Sequence, residues 1–201
     1  MSQREMVPNF GDAAAEYAAL RQTAGLWEAA FLGCLRLTGA DRAAFLHNLL
    51  TNDITHLAPG RGCRAALVTP AAKLLADVFV LAEPEAHWLL MDAARVETVL
   101  ATLERYHITE DVHLEDVTPR TVAIGLSGPS VATILSRVGL GELPSEAWSH
   151  RRAALDDVPL HLIRFDGFGV VGALLLAQAE VRIWLRETLL ERASAQGLRP
   201  A

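Results

Sequence analysis

The chain has 201 residues, a formal net charge of −6 and a pI near 5.6, so it lacks the basic surface that nucleic-acid binding needs. Two cysteines and irregularly spaced histidines form neither a disulfide framework nor a zinc pattern, and the longest apolar run, residues 168–177, is too short to span a bilayer. With 51% hydrophobic residues, the sequence predicts a soluble, cytoplasmic globular protein that binds neither nucleic acid nor membrane.

Helices and strands alternate irregularly along the chain. Apolar residues recur with helical periodicity in five segments, 12–23, 41–50, 93–106, 130–138 and 181–195. Strand-like runs occupy residues 34–37, 65–69, 74–81, 88–91, 112–115, 122–126, 160–165 and 172–176. This order is not strict βαβ alternation and predicts an α+β fold with antiparallel sheets, built from two related split-βαβ units.

A glycine- and proline-containing stretch, residues 139–149, is the predicted connection between two parts of the chain. It separates an N-terminal subdomain, residues 1–138, from a second subdomain, residues 150–201, that packs on the first. The apolar stripe of the last predicted helix has only a sheet to cover it. We therefore expect a second copy of the chain or a partner subunit to complete that surface.

Asp77 is the most informative residue of the sequence. It lies in the strand-like run 74–81, where alternation places apolar residues on both faces, so the strand is predicted to be buried on both sides. A buried carboxylate either raises its pKa or is held by hydrogen-bond donors. Two interpretations remain open, a functional carboxylate and a structural one at a strand end or bulge.

Asp77 ends a motif, residues 45–77 (FLHNLLTNDITHLAPGRGCRAALVTPAAKLLAD), that resembles the folate-binding superfamily of the glycine cleavage T-protein, or aminomethyltransferase. Residues 35–41 (LRLTGAD), 105–116 (RYHITEDVHLED) and 126–135 (LSGPSVATIL) resemble the opening and the middle of the same family. The resemblance implies interleaved, ferredoxin-like split-βαβ subdomains without a C-terminal barrel. It also implies that Asp77 is the catalytic aspartate beside the reactive edge of tetrahydrofolate.

Several family positions differ in this chain. The aspartate that usually precedes the catalytic one is Ala76, and in the pterin-anchoring segment after Arg164 the family's glutamate and aspartate are Val170 and Val171. The resemblance still implies that Arg164 contributes to the cofactor site. The loss of the two acids removes the carboxylate that would pair with the pterin ring.

Two further positions offer cofactor-binding candidates. Arg64 replaces a family tyrosine and either grips the glutamyl tail of folate or an anionic substrate, or is a solvated arginine at a sheet edge. Asp92 replaces an asparagine and either accepts a hydrogen bond from a ring amino group or caps the helix that begins at residue 93. The histidines, among them His47 and His56, are predicted to be surface or capping residues.

The resemblance leads to a main functional hypothesis and two alternatives. The main one is a tetrahydrofolate-dependent, aminomethyltransferase-like enzyme or enzyme subunit that acts on a one-carbon unit carried by folate or by a substrate amine. One alternative is a non-catalytic folate-binding or accessory protein related to the family's iron-sulfur-cluster maintenance branch. The other is a repurposed member that acts without folate.

Overall fold

The computed structural model describes residues 12–201, which form an α+β fold. The helices are α1 (Ala13–Gln22), α2 (Arg42–Leu49), α3 (Val96–Tyr106), α4 (Val131–Arg137) and α5 (Arg182–Ala193). The strands are β1 (Ala24–Glu28), β2 (Leu32–Thr38), β3 (Gly62–Val68), β4 (Leu74–Ala82), β5 (His87–Asp92), β6 (His113–Asp116), β7 (Thr121–Ser127), β8 (His150–Leu155), β9 (Val158–Arg164), β10 (Gly172–Gln178) and β11 (Leu198–Pro200). The predicted class is confirmed, and every predicted element overlaps an observed one.

Three strands were not predicted from the sequence. A single residue, Thr23, separates β1 from α1, β8 begins with a basic stretch, and β11 has only three residues. Short strands of this kind lack a recognisable alternation of apolar and polar residues, so tertiary pairing defines them.

The described residues pack as two compact units. Unit 1 combines residues 12–30 with Val122–Ala147 and Arg151–Ala201, and unit 2 combines Phe31–Thr121 with Trp148–His150. Both units therefore draw on separate stretches of sequence. The proposed subdomains, residues 1–138 and 150–201, divide the chain differently and stay a prediction.

Unit 1 is built on a six-stranded sheet with the order β11-β1-β7-β10-β9-β8. β1 pairs in parallel with β11 and antiparallel with β7, and β9 pairs antiparallel with β10. The apolar stripe of α5, formed by Leu185, Leu189 and Ala193, is buried in the core of this unit. The helix is thus covered by its own unit, and the second copy or partner subunit stays a prediction.

Unit 2 is built on a five-stranded antiparallel sheet with the order β3-β4-β5-β2-β6. One face packs with α2 and α3, and alternate β4 residues, Ala76, Val78 and Val80, are buried there. Asp77 and Phe79 point to the opposite face, here called the Asp77 face, and are only partly buried. The prediction that β4 is buried on both sides is therefore wrong at Asp77, because helices cover only one face of this sheet near that residue.

Two of the motifs named above form a clasp. The backbone N–H groups of Ala40 and Asp41 donate to the side chain and the carbonyl of Asp111, at 2.9 and 3.1 Å, and the Asp111 N–H donates to the Asp41 carboxylate at 2.8 Å. Asp41 also stands at the N-terminus of α2 but makes no side-chain hydrogen bond to that helix. The motif residues at 35–41 and 105–116 thus join β2, α2 and β6.

No helix among residues 12–201 has the length and apolar composition to cross a membrane.

Candidate functional site

Arg64 holds the carboxylate of Asp77 on the Asp77 face. Arg64 lies opposite Phe79 in the β3–β4 ladder and Asp77 lies opposite Ala66, so the two side chains are diagonal neighbours. Nε of Arg64 donates to both carboxylate oxygens at 2.9 and 3.0 Å, and Nη2 donates to Oδ2 at 2.5 Å. The hydrogen bond to Asp77, together with its negative charge, raises the pKa of Arg64 above its usual value. Of the two outcomes expected for this carboxylate, the structure shows the one in which donors hold it.

The ion pair remains accessible. The Asp77 side chain is 39% exposed and that of Arg64 is 67% exposed. Nε and Nη2 are the only Arg64 nitrogens that donate within residues 12–201, so the N–H groups of Nη1 stay available. The pair therefore presents both an acceptor and free donors.

An aromatic stack lies beside this pair. The rings of Phe79 and Trp148 are stacked with centroids 3.8 Å apart and an interplanar angle of 20°. The guanidinium carbon of Arg64 is 5.8 Å from the Phe79 ring centroid, within the range of a cation–π interaction. The sequence contained no signal for this contact, because Trp148 lies within the stretch, residues 139–149, that was predicted to be a connection.

The Thr51-Asn52 segment of the motif fastens the β3 edge next to Arg64. Asn52 donates from its side-chain amide to the carbonyl of Arg64 at 2.9 Å. Thr51 Oγ1 accepts from the N–H of Ala66 at 2.9 Å, and the Thr51 N–H donates to the Ala66 carbonyl at 3.1 Å. These bonds satisfy edge groups that lack a neighbouring strand and fix the backbone that carries Arg64. We name this set of contacts the edge latch.

Thr51→Val tests the edge latch. The isosteric change removes the hydroxyl acceptor, and we expect the free energy of unfolding to fall by about 1 kcal/mol. The amide of Ala66 should also exchange faster with solvent, measured by hydrogen exchange in NMR. Thr109→Val is the control, because its exposed hydroxyl makes no hydrogen bond within residues 12–201. Unchanged protection of the Ala66 amide would contradict the latch.

A different carboxylate, Asp53, lies beside the histidines of the motif and is hydrogen-bonded to His56. Asp53 accepts from the Thr55 hydroxyl at 2.8 Å, and its oxygens lie 2.7 Å from His56 Nδ1 and 3.3 Å from His47 Nδ1. Hydrogen bonds from Thr55 and His56 lower the pKa of Asp53 to about 2. His56 is exposed and contacts Asp53, not Asp77. No group of three or more His, Cys, Asp or Glu side chains within residues 12–201 could hold a metal ion.

Asp92 lies on the same face as Asp77. The antiparallel β4–β5 ladder includes the pair Phe79–Leu90; Asp77 lies two residues before Phe79, and Asp92 lies two residues after Leu90, so both share the face of that pair. Asp92 Oδ1 accepts from the N–H of Ala94 at 2.9 Å and so caps the 3₁₀ turn at Ala93–Arg95. This contact is the capping interaction that the sequence offered as one of two interpretations of Asp92. The register also brings three of the four candidate site residues, Arg64, Asp77 and Asp92, to one face of one sheet.

The fourth candidate, Arg164, belongs to unit 1. Its Nε donates to both oxygens of Asp166 at 2.7 and 2.9 Å, and its Nη1 donates to the carbonyl of Pro144 at 3.4 Å. Asp166 Oδ1 also accepts from the N–H of Gly172 at 3.1 Å. Arg164 and Asp166 therefore brace the loop that carries Val170 and Val171.

Three aromatic side chains surround that loop. Trp27 lies 5.6 Å from Phe165 and 5.1 Å from Phe168, measured between ring centroids, and its Nε1 donates to Ser127 Oγ at 3.0 Å. Phe168 is exposed. The sequence drew attention to Phe168 but not to Trp27, which belongs to an unpredicted strand.

The family can now be assigned. A family model described as the GCVT N-terminal domain matches residues 4–201. The chain belongs to this family. The resemblance proposed from the motifs is thereby confirmed.

Individual relatives of this GCVT-domain chain agree with the assignment. The aminomethyltransferase of Geobacillus thermodenitrificans is 30% identical over 199 residues, which cover 98% of this chain and 54% of that protein. For the aminomethyltransferase of Geobacillus kaustophilus the values are 32% over 135 residues, 67% of this chain and 37% of that protein. The chain therefore spans about a third to a half of the length of these curated relatives.

Solved structures show the same fold. The glycine cleavage system aminomethyltransferase T from Bartonella henselae superposes with a TM-score of 0.82 at 20% identity, over 92% of this chain and 50% of that chain. A chain of the heterotetrameric sarcosine oxidase from Corynebacterium sp. U-96 superposes with a TM-score of 0.65 at 21% identity, over 94% of both chains. The GCVT-domain chain thus has the T-protein fold in its α+β form.

Proposed function

We propose that this GCVT-domain chain is a tetrahydrofolate-dependent, aminomethyltransferase-like enzyme or enzyme subunit that acts on a one-carbon unit. Family membership supports the reaction class. The observation that carries the proposal is Asp77, a carboxylate in a core strand that stays partly exposed and is held by Arg64.

The residues around Asp77 fit a reduced folate at its reactive edge. Asp77 has an accessible carboxylate, and the three Arg64 bonds leave part of its acceptor capacity open. Tetrahydrofolate, when bound, supplies the ring nitrogens that accept and carry a one-carbon unit. Asp77 would orient these nitrogens, stabilise positive charge that develops on nitrogen, and hold or release its proton.

The Arg164 loop fits the pterin ring less well. Val170 and Val171 provide no carboxylate, and the oxygens of Asp166 already accept from Arg164 and from Gly172. Arg164 would then support a cofactor through the loop it braces. Within unit 2, Asp92 lies on the same face as Asp77 and is the candidate acceptor for a ring amino group there. We expect tetrahydrofolate to bind more weakly than to a site with both family acids.

The replaced acids also support the alternative of a non-catalytic folate-binding or accessory protein. That alternative shares the binding step at Asp77 but requires no proton transfer there. It predicts that Asp77→Asn changes the affinity for tetrahydrofolate and that neither the wild type nor the variant shows turnover. The enzyme hypothesis predicts that Asp77→Asn loses both affinity and turnover.

Calorimetric titration with tetrahydrofolate tests the proposal. We expect saturable binding to the wild type and an affinity about 10- to 100-fold lower for Asp77→Asn, because Asn keeps the shape but loses the charge. Glu115→Gln is the matched control, since Glu115 is also a partly exposed acid that binds an arginine in unit 2. If millimolar tetrahydrofolate gives no heat of binding with the wild type, tetrahydrofolate is excluded as the ligand. Equal affinities of the wild type and Asp77→Asn would exclude a role of Asp77 in binding tetrahydrofolate.

A partner subunit or a second copy of the chain is part of the proposal. The sarcosine oxidase chain that matches over 94% of both chains belongs to a heterotetramer, which supports the subunit form. Light scattering on the purified chain at micromolar concentration should give a mass above that of one chain. A mass of one chain would exclude a second copy of the chain and leave only a partner subunit of different sequence. Affinity purification of the tagged chain from its own cells would then have to recover that subunit.

We also infer a cytoplasmic location. Cys34 is buried and Cys63 partly buried, and both are free thiols. Burial raises the pKa of each thiol, which keeps it protonated and unreactive. Free thiols of this kind suit a reducing compartment.

A further inference from the structure

We propose that the outer edge of the Arg64 guanidinium binds a carboxylate group of the ligand held at Asp77. The inference rests on the proposed function for the position of that ligand and adds its chemical class. Two ligands carry the required group, the glutamyl tail of a folate and a small amino-acid substrate.

The donors that would bind the carboxylate are free. Arg64 uses Nε and Nη2 for Asp77, and Nη1 has no acceptor within residues 12–201. The side chain is 67% exposed, so a ligand can reach Nη1 from solvent. A guanidinium offers five N–H donors in a planar fork, and one carboxylate on Nε and Nη2 leaves another edge for a second.

The charges around Arg64 favour a single carboxylate group over a cationic group or a phosphate. A cationic ligand without an acid would approach the exposed donors of Arg64 and be repelled. A phosphate dianion would face the carboxylates of Asp77 and Asp92 on the same sheet face, while the charge of Arg64 is already paired with Asp77. A single carboxylate completes an acid–arginine–acid arrangement at the smallest cost in repulsion.

The position of Arg64 is fixed before any ligand arrives. The edge latch holds the backbone directly after Arg64, through the Arg64 carbonyl and the Ala66 amide. The Phe79 ring lies beside the guanidinium, and Phe79 is itself stacked on Trp148. A donor fixed in this way loses little side-chain entropy when a ligand binds, whereas an ordinary surface arginine loses more.

Another arginine of unit 2 provides the comparison. Arg120 is 62% exposed and bound to Glu115, which is 46% exposed, so its charge and accessibility match those of Arg64. Arg120 makes its hydrogen bond to Glu115 through Nη2 alone, and it lies in a 3₁₀ turn instead of a strand. Glu115 points to the Asp77 face as well, but three strands separate its strand, β6, from β3 in the sheet, so replacement of Arg120 removes a similar charge far from Arg64 and Asp77.

NMR titration with three probes tests the inference. p-Aminobenzoyl-L-glutamate represents the folate tail, glycine represents a small amino acid, and ethylammonium carries no carboxylate. We expect a saturable shift of the Arg64 Nε–H resonance with at least one of the two acids and none with ethylammonium. Arg64→Gln should weaken that binding at least about tenfold, whereas Arg120→Gln should not change it. The acid that binds with the higher affinity identifies the source of the carboxylate, either the folate tail or a small amino acid.

Further variants separate the possible failures. Arg64→Lys keeps the charge but loses the planar fork of the guanidinium. It should weaken binding of the acid probe and preserve the melting temperature. Full affinity in this variant would overturn the role of the fork. Equal affinity of Arg64→Gln and the wild type for both acids, or no saturation of the wild type at about 100 mM probe, would overturn the inference. If tetrahydrofolate fails to bind but an acid probe shifts Arg64, the proposed function fails while the carboxylate site stands. If tetrahydrofolate binds and Arg64→Gln changes nothing, only the inference fails.

Discussion

Gly39→Ala is expected to lower the free energy of unfolding by about 3 to 5 kcal/mol. Gly39 ends β2 at the clasp and has φ +104, a region that residues with a Cβ rarely adopt. A Cβ at this position would lie 2.1 Å from the carbonyl oxygen of Asp111, far inside van der Waals contact. The Asp111 oxygen belongs to backbone that accepts from Asp41, so it cannot move without breaking the clasp. Chemical denaturation monitored by circular dichroism measures the loss.

Gly139→Ala is the matched control for this prediction. Gly139 also has a positive φ, +91, but a Cβ there would meet nothing within 4 Å. Its replacement should cost only the backbone strain, about 1 to 2 kcal/mol. Equal losses in the two variants would show that the Asp111 carbonyl gives way and that the clasp is soft.

Acidification is expected to destabilise the protein through His87. This residue begins β5 with its side chain only 4% exposed, and neither ring nitrogen has a hydrogen-bond partner within residues 12–201. Burial first, and the positive charge of Arg42 second, lower the pKa of His87 from 6.5 to about 4. The folded chain therefore holds this imidazole neutral over a pH range in which the unfolded chain protonates it.

The sign of the effect follows from this difference. The contribution of neutral His87 is fully present above about pH 6.5, and it is lost as the pH falls towards about 4, because the unfolded state binds more protons in that window. The free energy of unfolding should decrease by about 2 to 3 kcal/mol across the window. Denaturation curves at a series of pH values measure this decrease.

His87→Leu should flatten the pH dependence and keep or increase the stability at pH 7, because it removes two unpaired buried nitrogens. His113→Leu is the control, since His113 is exposed in β6. Part of the slope should remain in His87→Leu, because burial also lowers the pKa of His150. An unchanged slope in His87→Leu would contradict the prediction.

The fold was largely predictable because its signals are local. The stripe of α3, with Val96, Val99 and Leu103, is readable from the spacing of apolar residues, and the same positions are buried in the structure. The β3–β4 hairpin likewise follows from two apolar runs around a proline-containing turn. β11 was not predictable, because three residues carry no period and only pairing with β1 makes them a strand.

The candidate site was predictable in its residues but not in its contacts. Asp77 attracted attention as a charged residue in an apolar run, and Arg64 as a departure from the family. Their ion pair depends on the diagonal register between β3 and β4, which a slip of one residue would abolish. The edge latch and the Trp148 stack depend on segments that return from elsewhere in the chain, so no local pattern contains them.

The sequence by itself determined the family, the helices and the presence of a carboxylate at position 77, because motif residues and apolar periods are recorded in the order of the chain. Only the tertiary structure decided that this carboxylate is partly exposed and bound by Arg64. Exposure depends on which face of the sheet the helices cover, and pairing depends on the strand register. Both are properties of segments brought together by folding, and no single segment carries them.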